Sequence, residues 1–232
     1  VGLPLAVLFS SKYPVIGVDT DSSRVSKVNQ FLDETNELNS EVLQNALNNN
    51  LVVTNKYKDI KHCNIYIVTV PTPIDKMKNP DLSYLLDATK NIGKLISKGD
   101  TIIYESTVYP GCTEEECVPV LEKTSGLKYN QDFYCGYSPE RINPGDKKHN
   151  ISNVVKVTSG STPKVSKTID KLYKEIVKVG TYLAPSIKIA EAAKVIENSQ
   201  RDINISFMNE LSIIFNLMNL DTQEVLDAAG SK

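Results

Sequence analysis

Apolar residues recur along this chain in two periods, and the period switches back and forth. Short runs rich in β-branched and aromatic side chains predict strands: "YPVIGVD" (13–19), "NIYIVTV" (64–70), "DTIIYEST" (100–107), "FYCGYS" (133–138) and "NVVKVTSG" (153–160). Between them, apolar positions three and four apart predict helices: "LPLAVLFSSK" (3–12), "SRVSKVNQFLDE" (23–34), "LSYLLDATKNIGKLIS" (82–97), "TEEECVPVLEK" (113–123) and "TPKVSKTIDKLYKEIV" (162–177). Thr113 ahead of three glutamates predicts a capped helix start, because carboxylates suit the positive end of a helix dipole. Strand and helix in alternation predict an α/β fold, a doubly wound, mostly parallel sheet with helices on both faces.

After "VGTYLAPS" (179–186) the pattern changes. From Ile187 to Leu220 helical periodicity continues without glycine, proline or a strand-like run. A helix of ~30 residues is roughly 45 Å long, more than a crossover between strands requires. It predicts the spine of a second, all-α unit, so the expected division is 1–184 for the α/β domain and 185–232 for the start of a helical one. Ile203, Ile205, Phe207, Leu211, Ile214, Phe215 and Leu217 are more apolar surface than one side of a helix needs. They predict packing across a two-fold axis in a homodimer. "DTQEVLDAAGSK" (221–232) opens one more helix. On "IAEAAKVIENSQRDIN" (189–204), Glu191, Lys194 and Asn198 fall one turn apart on one stripe. A solvated face explains them, and so does a site.

The opening "VGLPLAVLFSSKYPVIGVDTD" has the order of a Rossmann-like dinucleotide-binding unit, with glycine opening a helix, then a strand, then an acid. Gly2 fits the last glycine of G-x-G-x-x-G, with the first strand and first two glycines expected before residue 1. Asp19 would hold the adenosine ribose hydroxyls and favours NAD over NADP, since a carboxylate repels a 2′-phosphate. Arg24 either offsets that repulsion or is a solvated helix residue. "VPTP" (70–73) and "ESTVYPG" (105–111) each follow a strand, where ligands gather in open parallel sheets. Thr72, Ser106 and Thr107 can offer hydroxyls there, although turn chemistry alone also accounts for them. "YSPERINPGDKKH" (137–149) brings Glu140, Arg141 and His149 to the same end; the alternative is a surface connection, with His149 a surface residue.

Composition narrows the partners. A formal charge of −2 leaves no basic footprint, so nucleic acid is not expected. No run of about 18 apolar residues and no signal-peptide pattern is present, so no membrane span is expected and the expected location is cytoplasmic. Cys63, Cys112, Cys117 and Cys135 are scattered, without CxxC or histidine in ligand spacing, and read as reduced structural thiols with no metal site.

The segments "VGLPLA", "VIGVD", "VPTPID", "YESTVYPGCTEE", "YSPERINPGDKKH" and "EAAKVIENSQRDINISFMNE" together resemble the UDP-glucose/GDP-mannose dehydrogenase family of nucleotide-sugar dehydrogenases. "SPERINPGDKKH" is most similar to the branch that oxidises UDP-N-acetylhexosamines for bacterial surface polysaccharides such as capsule and O-antigen. The resemblance implies oxidation of the sugar C6 from alcohol to carboxylate, with two NAD reduced. It implies that Lys194 stabilises negative oxygen at C6, that Asn198 holds the same group or its water, that Glu140 is a base or water-positioning group, and that Thr107 orders that water. It further implies sugar contacts from Arg141, Ile142, Asn143 and Arg201, and cofactor contacts from Gly2, Asp19, Arg24, Val70, Pro71, Thr72, Ser106 and Thr107. The family's nucleophilic cysteine lies downstream of the long helix, whereas all four cysteines here precede it. The chain is therefore expected to be a fragment truncated at both ends, without the C-terminal UDP-binding half, and inactive alone. Two other readings remain: a Rossmann dehydrogenase of the β-hydroxyacid type, and a non-catalytic nucleotide-binding or dimerisation module.

Overall fold

The computed structural model describes residues 2–141 and 153–231. Helices and strands alternate along the first part: α1 (Gly2–Ser10), β1 (Val15–Val18), α2 (Ser22–Asn29), α3 (Ser40–Asn48), β2 (Leu51–Thr54), β3 (Ile65–Val68), α4 (Ser83–Gly93), β4 (Thr101–Tyr104), α5 (Val118–Ser125), β5 (Tyr134–Tyr137), β6 (Lys156–Gly160), α6 (Pro163–Lys174) and β7 (Thr181–Leu183). Then come α7 (Ile187–Leu217) and α8 (Thr222–Ala229). The chain divides into two compact units, one ending at Ala192 and one beginning at Ala193.

In the first unit β1 and β2 pair in parallel, and a five-stranded sheet runs in the order β3-β4-β5-β6-β7. All its neighbours are parallel except β5 and β6. Side chains alternate between the sheet's two faces, and β4 shows it. Ile102 and Tyr104 join the cluster of Leu85 and Ile92 from α4 and Val118 and Leu121 from α5. Ile103 joins Leu5 and Phe9 from α1 and Val165, Ile169 and Tyr173 from α6 on the other side. The result is a three-layer α/β/α arrangement. Gly136 and Gly160 face each other across the antiparallel pair. A Cβ on Gly160 would lie 2.6 Å from the Ser166 backbone nitrogen, so glycine is what lets α6 sit against the sheet.

The five anticipated strands are present, each shorter than its apolar run, but β2, α3 and β7 were not anticipated. β7 spans only three residues, and β2, four residues long like β1, β3, β4 and β5, is set among asparagines without apolar positions on either side to extend its run. α3 lies in an asparagine-rich stretch, where its start is set by Asn39 accepting from the Val42 amide at 2.8 Å. The helix expected at 113 also begins differently. Thr113–Cys117 form a π turn ahead of α5, and Thr113 is inside it rather than capping it. Five-residue spacing in that turn brings the Cys112 and Cys117 thiols into contact.

In the second unit α7 ends at a left-handed Asn219, with φ 56°, the conformation asparagine tolerates at a helix C-terminus. Asp221 then starts α8 by accepting from the Glu224 amide at 2.9 Å.

Candidate functional site

The carboxyl ends of β1, β3, β4 and β5 are where a doubly wound sheet gathers ligands, and Asp19, Val70, Pro71, Thr72, Ser106, Thr107 and Glu140 lie on the segments that leave them. Gly2 opens α1 close to the turn after β3, where an added Cβ would meet Thr69 Oγ1 at 2.5 Å. That bare backbone at a helix N-terminus is what a pyrophosphate requires. Asp19 follows the last residue of β1, its amide donating to Thr54 O at 3.1 Å. Its Oδ1 accepts from the Asp21 amide at 2.9 Å, and its Oδ2 lies 3.5 Å from Arg24 Nη1. Both side chains remain more than a third exposed, so the pair contributes little stability. Arg24 is thus directed at Asp19. Glycine, helix start and acid fit a dinucleotide.

The hydroxyls anticipated as ligand groups have structural work as well. Thr72 Oγ1 donates to Thr107 O at 2.6 Å, and Ser106 Oγ donates to Val70 O at 2.6 Å. These two bonds lace the turn after β3 to the turn after β4. Tyr137 at the end of β5 adds a third stitch, its hydroxyl donating to Ser106 O at 3.2 Å. The protons of Thr72 and Ser106 are therefore committed to backbone carbonyls, and what these hydroxyls retain is acceptor capacity. Pro71 and Thr107 are exposed beside this seam and Val70 is half-buried.

Beyond β5 the chain reaches Glu140 and Arg141, both half-buried. Glu140 Oε1 accepts from the Arg141 amide at 2.8 Å, and Arg141 Nη1 donates to Val155 O at 3.2 Å. Ile142, Asn143 and His149 lie outside the described residues. Beneath Glu140 is a charged cluster that the sequence did not reveal. Lys156 Nζ donates to Glu105 Oε2 at 2.6 Å and to Pro139 O at 3.1 Å, with side chains only 4% and 0% exposed. Tyr173 donates its hydroxyl to the other oxygen of Glu105. Burial pushes the Glu105 carboxyl up, while the Lys156 ammonium and the Tyr173 hydroxyl pull it back down. A glutamate at the end of one strand, a lysine opening another and a helix tyrosine give no local signal. They meet only because the sheet joins segments 51 and 68 residues apart.

On α7, Glu191 does not lie on a solvated face. It is fully buried, and its carboxylate accepts from the Gly111 amide at 2.5 Å and the Thr113 amide at 2.9 Å. It supplies from another helix the N-terminal cap that Thr113 was expected to provide. Lys194 and Asn198 belong to the second unit, one turn apart on α7, half-buried and exposed respectively. Arg201 Nη2 lies 3.0 Å from Glu197 Oε1.

The thiols are poor nucleophiles. Cys112, Cys117 and Cys135 are fully buried. The hydrogen bond with Cys117, and then burial, push the Cys112 thiol up; burial does the same to Cys135 and, less, to half-buried Cys63. Among the described residues no three His, Cys, Asp or Glu side chains gather as a metal site, and no helix is long and apolar enough to cross a membrane.

Comparison with known proteins agrees with this geometry. Residues 1–177 match the NAD binding domain of the UDP-glucose/GDP-mannose dehydrogenase family, and residues 188–232 match its central domain. The chain is 57% identical over its whole length to a UDP-N-acetyl-D-glucosamine 6-dehydrogenase from Pseudomonas aeruginosa, covering 54% of that protein. It is 52% identical to protein CapL of Staphylococcus aureus, again over the whole chain and 54% of the relative. A UDP-D-ManNAc dehydrogenase from Pyrococcus horikoshii superposes with a TM-score of 0.93 at 32% identity, over 99% of this chain and 55% of that one. The chain thus spans about half the length of the relatives it matches. With its Rossmann-like sheet and a first domain built for NAD, it belongs to the UDP-glucose/GDP-mannose dehydrogenase family.

Proposed function

We propose that the full-length protein is a cytoplasmic NAD-dependent UDP-sugar 6-dehydrogenase. It oxidises C6 of a UDP-N-acetylhexosamine from alcohol to carboxylate, in the synthesis of a capsule or O-antigen polysaccharide. The observation that carries this reading is the 57% identity, sustained over all 232 residues, to a UDP-N-acetyl-D-glucosamine 6-dehydrogenase.

The residues divide the work as follows. Residues 1–184 form the cofactor domain, in which Gly2 admits the pyrophosphate and Asp19 binds the ribose. Val70, Pro71, Thr72, Ser106 and Thr107 line the cofactor, and Arg24 sets how much of the Asp19 charge a 2′-phosphate would meet. NAD supplies the hydride acceptor. Residues 185–232 begin the helical domain. Lys194 places an ammonium at the C6 oxygen, where it stabilises negative charge as it develops, and Asn198 donates to the same oxygen. Glu140 accepts a proton or directs the water needed for the second oxidation, and Thr107 orders that water. Arg141, Ile142, Asn143 and Arg201 bind the sugar nucleotide. Cys112, Cys117 and Cys135 are fully buried, so none of these three offers an exposed thiol to a substrate. The apolar side chains on α7 pack against a second copy to form a homodimer.

A substrate screen tests the reading. Full-length protein with NAD is offered UDP-N-acetylglucosamine, UDP-N-acetylgalactosamine, UDP-glucose and small β-hydroxy acids, and NADH is followed by absorbance. The expected result is turnover of a UDP-N-acetylhexosamine with two NADH formed per sugar. Turnover of a hydroxy acid alone, or NAD binding without any turnover, overturns it.

A further inference from the structure

We propose that the buried Lys156–Glu105–Tyr173 cluster is a positioning device that fixes the peptide carrying Glu140. The inference rests on the role proposed above for Glu140. Lys156 Nζ donates to Pro139 O at 3.1 Å while held by Glu105 at 2.6 Å. Because a peptide unit is planar, anchoring the Pro139 carbonyl also sets the plane in which the Glu140 nitrogen and Cα lie. The carboxylate that must meet the substrate therefore hangs from a clamped peptide rather than from a free loop.

Three elements converge on that clamp. Glu105 extends β4, its amide bonded to Val68 O at 2.9 Å, so its place is set by the sheet. Lys156 is the first residue of β6, and Tyr173 comes from α6, where its ring is fully buried. Tyr173 occupies one Glu105 oxygen and Lys156 the other, and the same ammonium also reaches the Pro139 carbonyl. Buried ion pairs are poor contributors to stability, since desolvation offsets most of the attraction. A cluster of this cost beside a reacting carboxylate is better explained by geometry than by stability. Glu140 also bears electrostatically on Glu105, adding to the upward push on its carboxyl, so the two acids are close enough to sense each other.

The test removes both buried charges together, because Lys156→Met alone would strand Glu105 without its cation. The full-length protein carrying Lys156→Met and Glu105→Gln keeps shape and neutrality but loses the tether. Its kcat is expected to fall about 10- to 100-fold, the effect of a misplaced reacting group. KM for NAD and for the sugar nucleotide and the melting temperature are expected to stay close to those of the unaltered protein. Hydrogen–deuterium exchange of the 137–141 segment should rise about tenfold or more, with the rest of the sheet unchanged. Tyr173→Phe alone leaves the Lys156–Glu105 pair and the Pro139 contact in place and should keep most of the kcat. Unchanged kcat and exchange in the double variant, a loss of kcat shadowed by melting and KM, or a single variant as impaired as the double each overturn the proposal. If the unaltered protein oxidises no UDP-sugar, the functional reading fails, and exchange at 137–141 still decides whether the tether exists.

Discussion

Charged side chains are buried in one part of this molecule, and large apolar ones are exposed in another. In the first unit Glu105, Lys156 and Glu191 are buried, and each has an ion-pair or hydrogen-bond partner. In the second unit Ile196, Ile203 and Phe207 on α7 are 68%, 66% and 57% exposed. The change falls within one helix, since Ile187, Ala190 and Glu191 of α7 are buried and the residues from Asn198 to Glu210 are all exposed. The first unit closes its core around itself and can hold acids and a lysine inside it. The second has no buried residue on α8 and exposes large apolar side chains along α7.

The largest effect expected from that contrast is on assembly. Ile203→Asp with Phe207→Asp should convert the full-length protein from dimer to monomer, halving its mass in sedimentation equilibrium. An unaltered protein that sediments as one chain breaks the comparison on its second side. Next in size is the loss of the buried cap. Glu191→Ala strands the Gly111 and Thr113 amides in the interior and should cost about 3 kcal/mol in denaturant unfolding, as buried donors without acceptors do. In the second unit, Gln223→Ala removes an exposed hydrogen bond to Asp227 and should cost less than about 0.5 kcal/mol. Equal losses would show that burial does not separate the two regions.

The smallest expected effect is a pH dependence. Burial pushes the Asp170 carboxyl up, but bonds from Lys174, Thr181 and Thr158 outweigh it and hold it below its ordinary value. A depressed acid stabilises the fold above its unfolded pKa of about 4 and loses that contribution as pH falls through the folded value. Melting temperatures of the unaltered protein and Asp170→Asn should therefore differ at pH 6 and converge towards pH 3. A constant difference would contradict the assigned shift.

The alternation of strand and helix was legible because each run of five or more residues showed its period. Of the two unanticipated strands, β7 has three residues and β2 lies in an asparagine-rich stretch that gives its apolar run no extension. The turns bearing Thr72, Ser106, Thr107 and Glu140 were legible because polar, proline-containing segments follow apolar strands. What those side chains do was not, because the acceptors of Thr72 and Ser106 lie 35 and 36 residues away. Glu191 shows the limit most clearly. Its position on a polar stripe with Lys194 and Asn198 suggested a shared surface, yet its carboxylate reaches amides 78 and 80 residues earlier. Helical periodicity reports which residues are neighbours on a helix, not which way the helix is packed.

The proposed chemistry depends most on Lys194, and single-turnover kinetics of Lys194→Ala in the full-length protein address it directly. Loss of a preorganised charge at a developing oxyanion predicts a slowing of about a hundredfold or more, with NAD affinity unchanged. Hydride transfer at the unaltered rate would contradict the account.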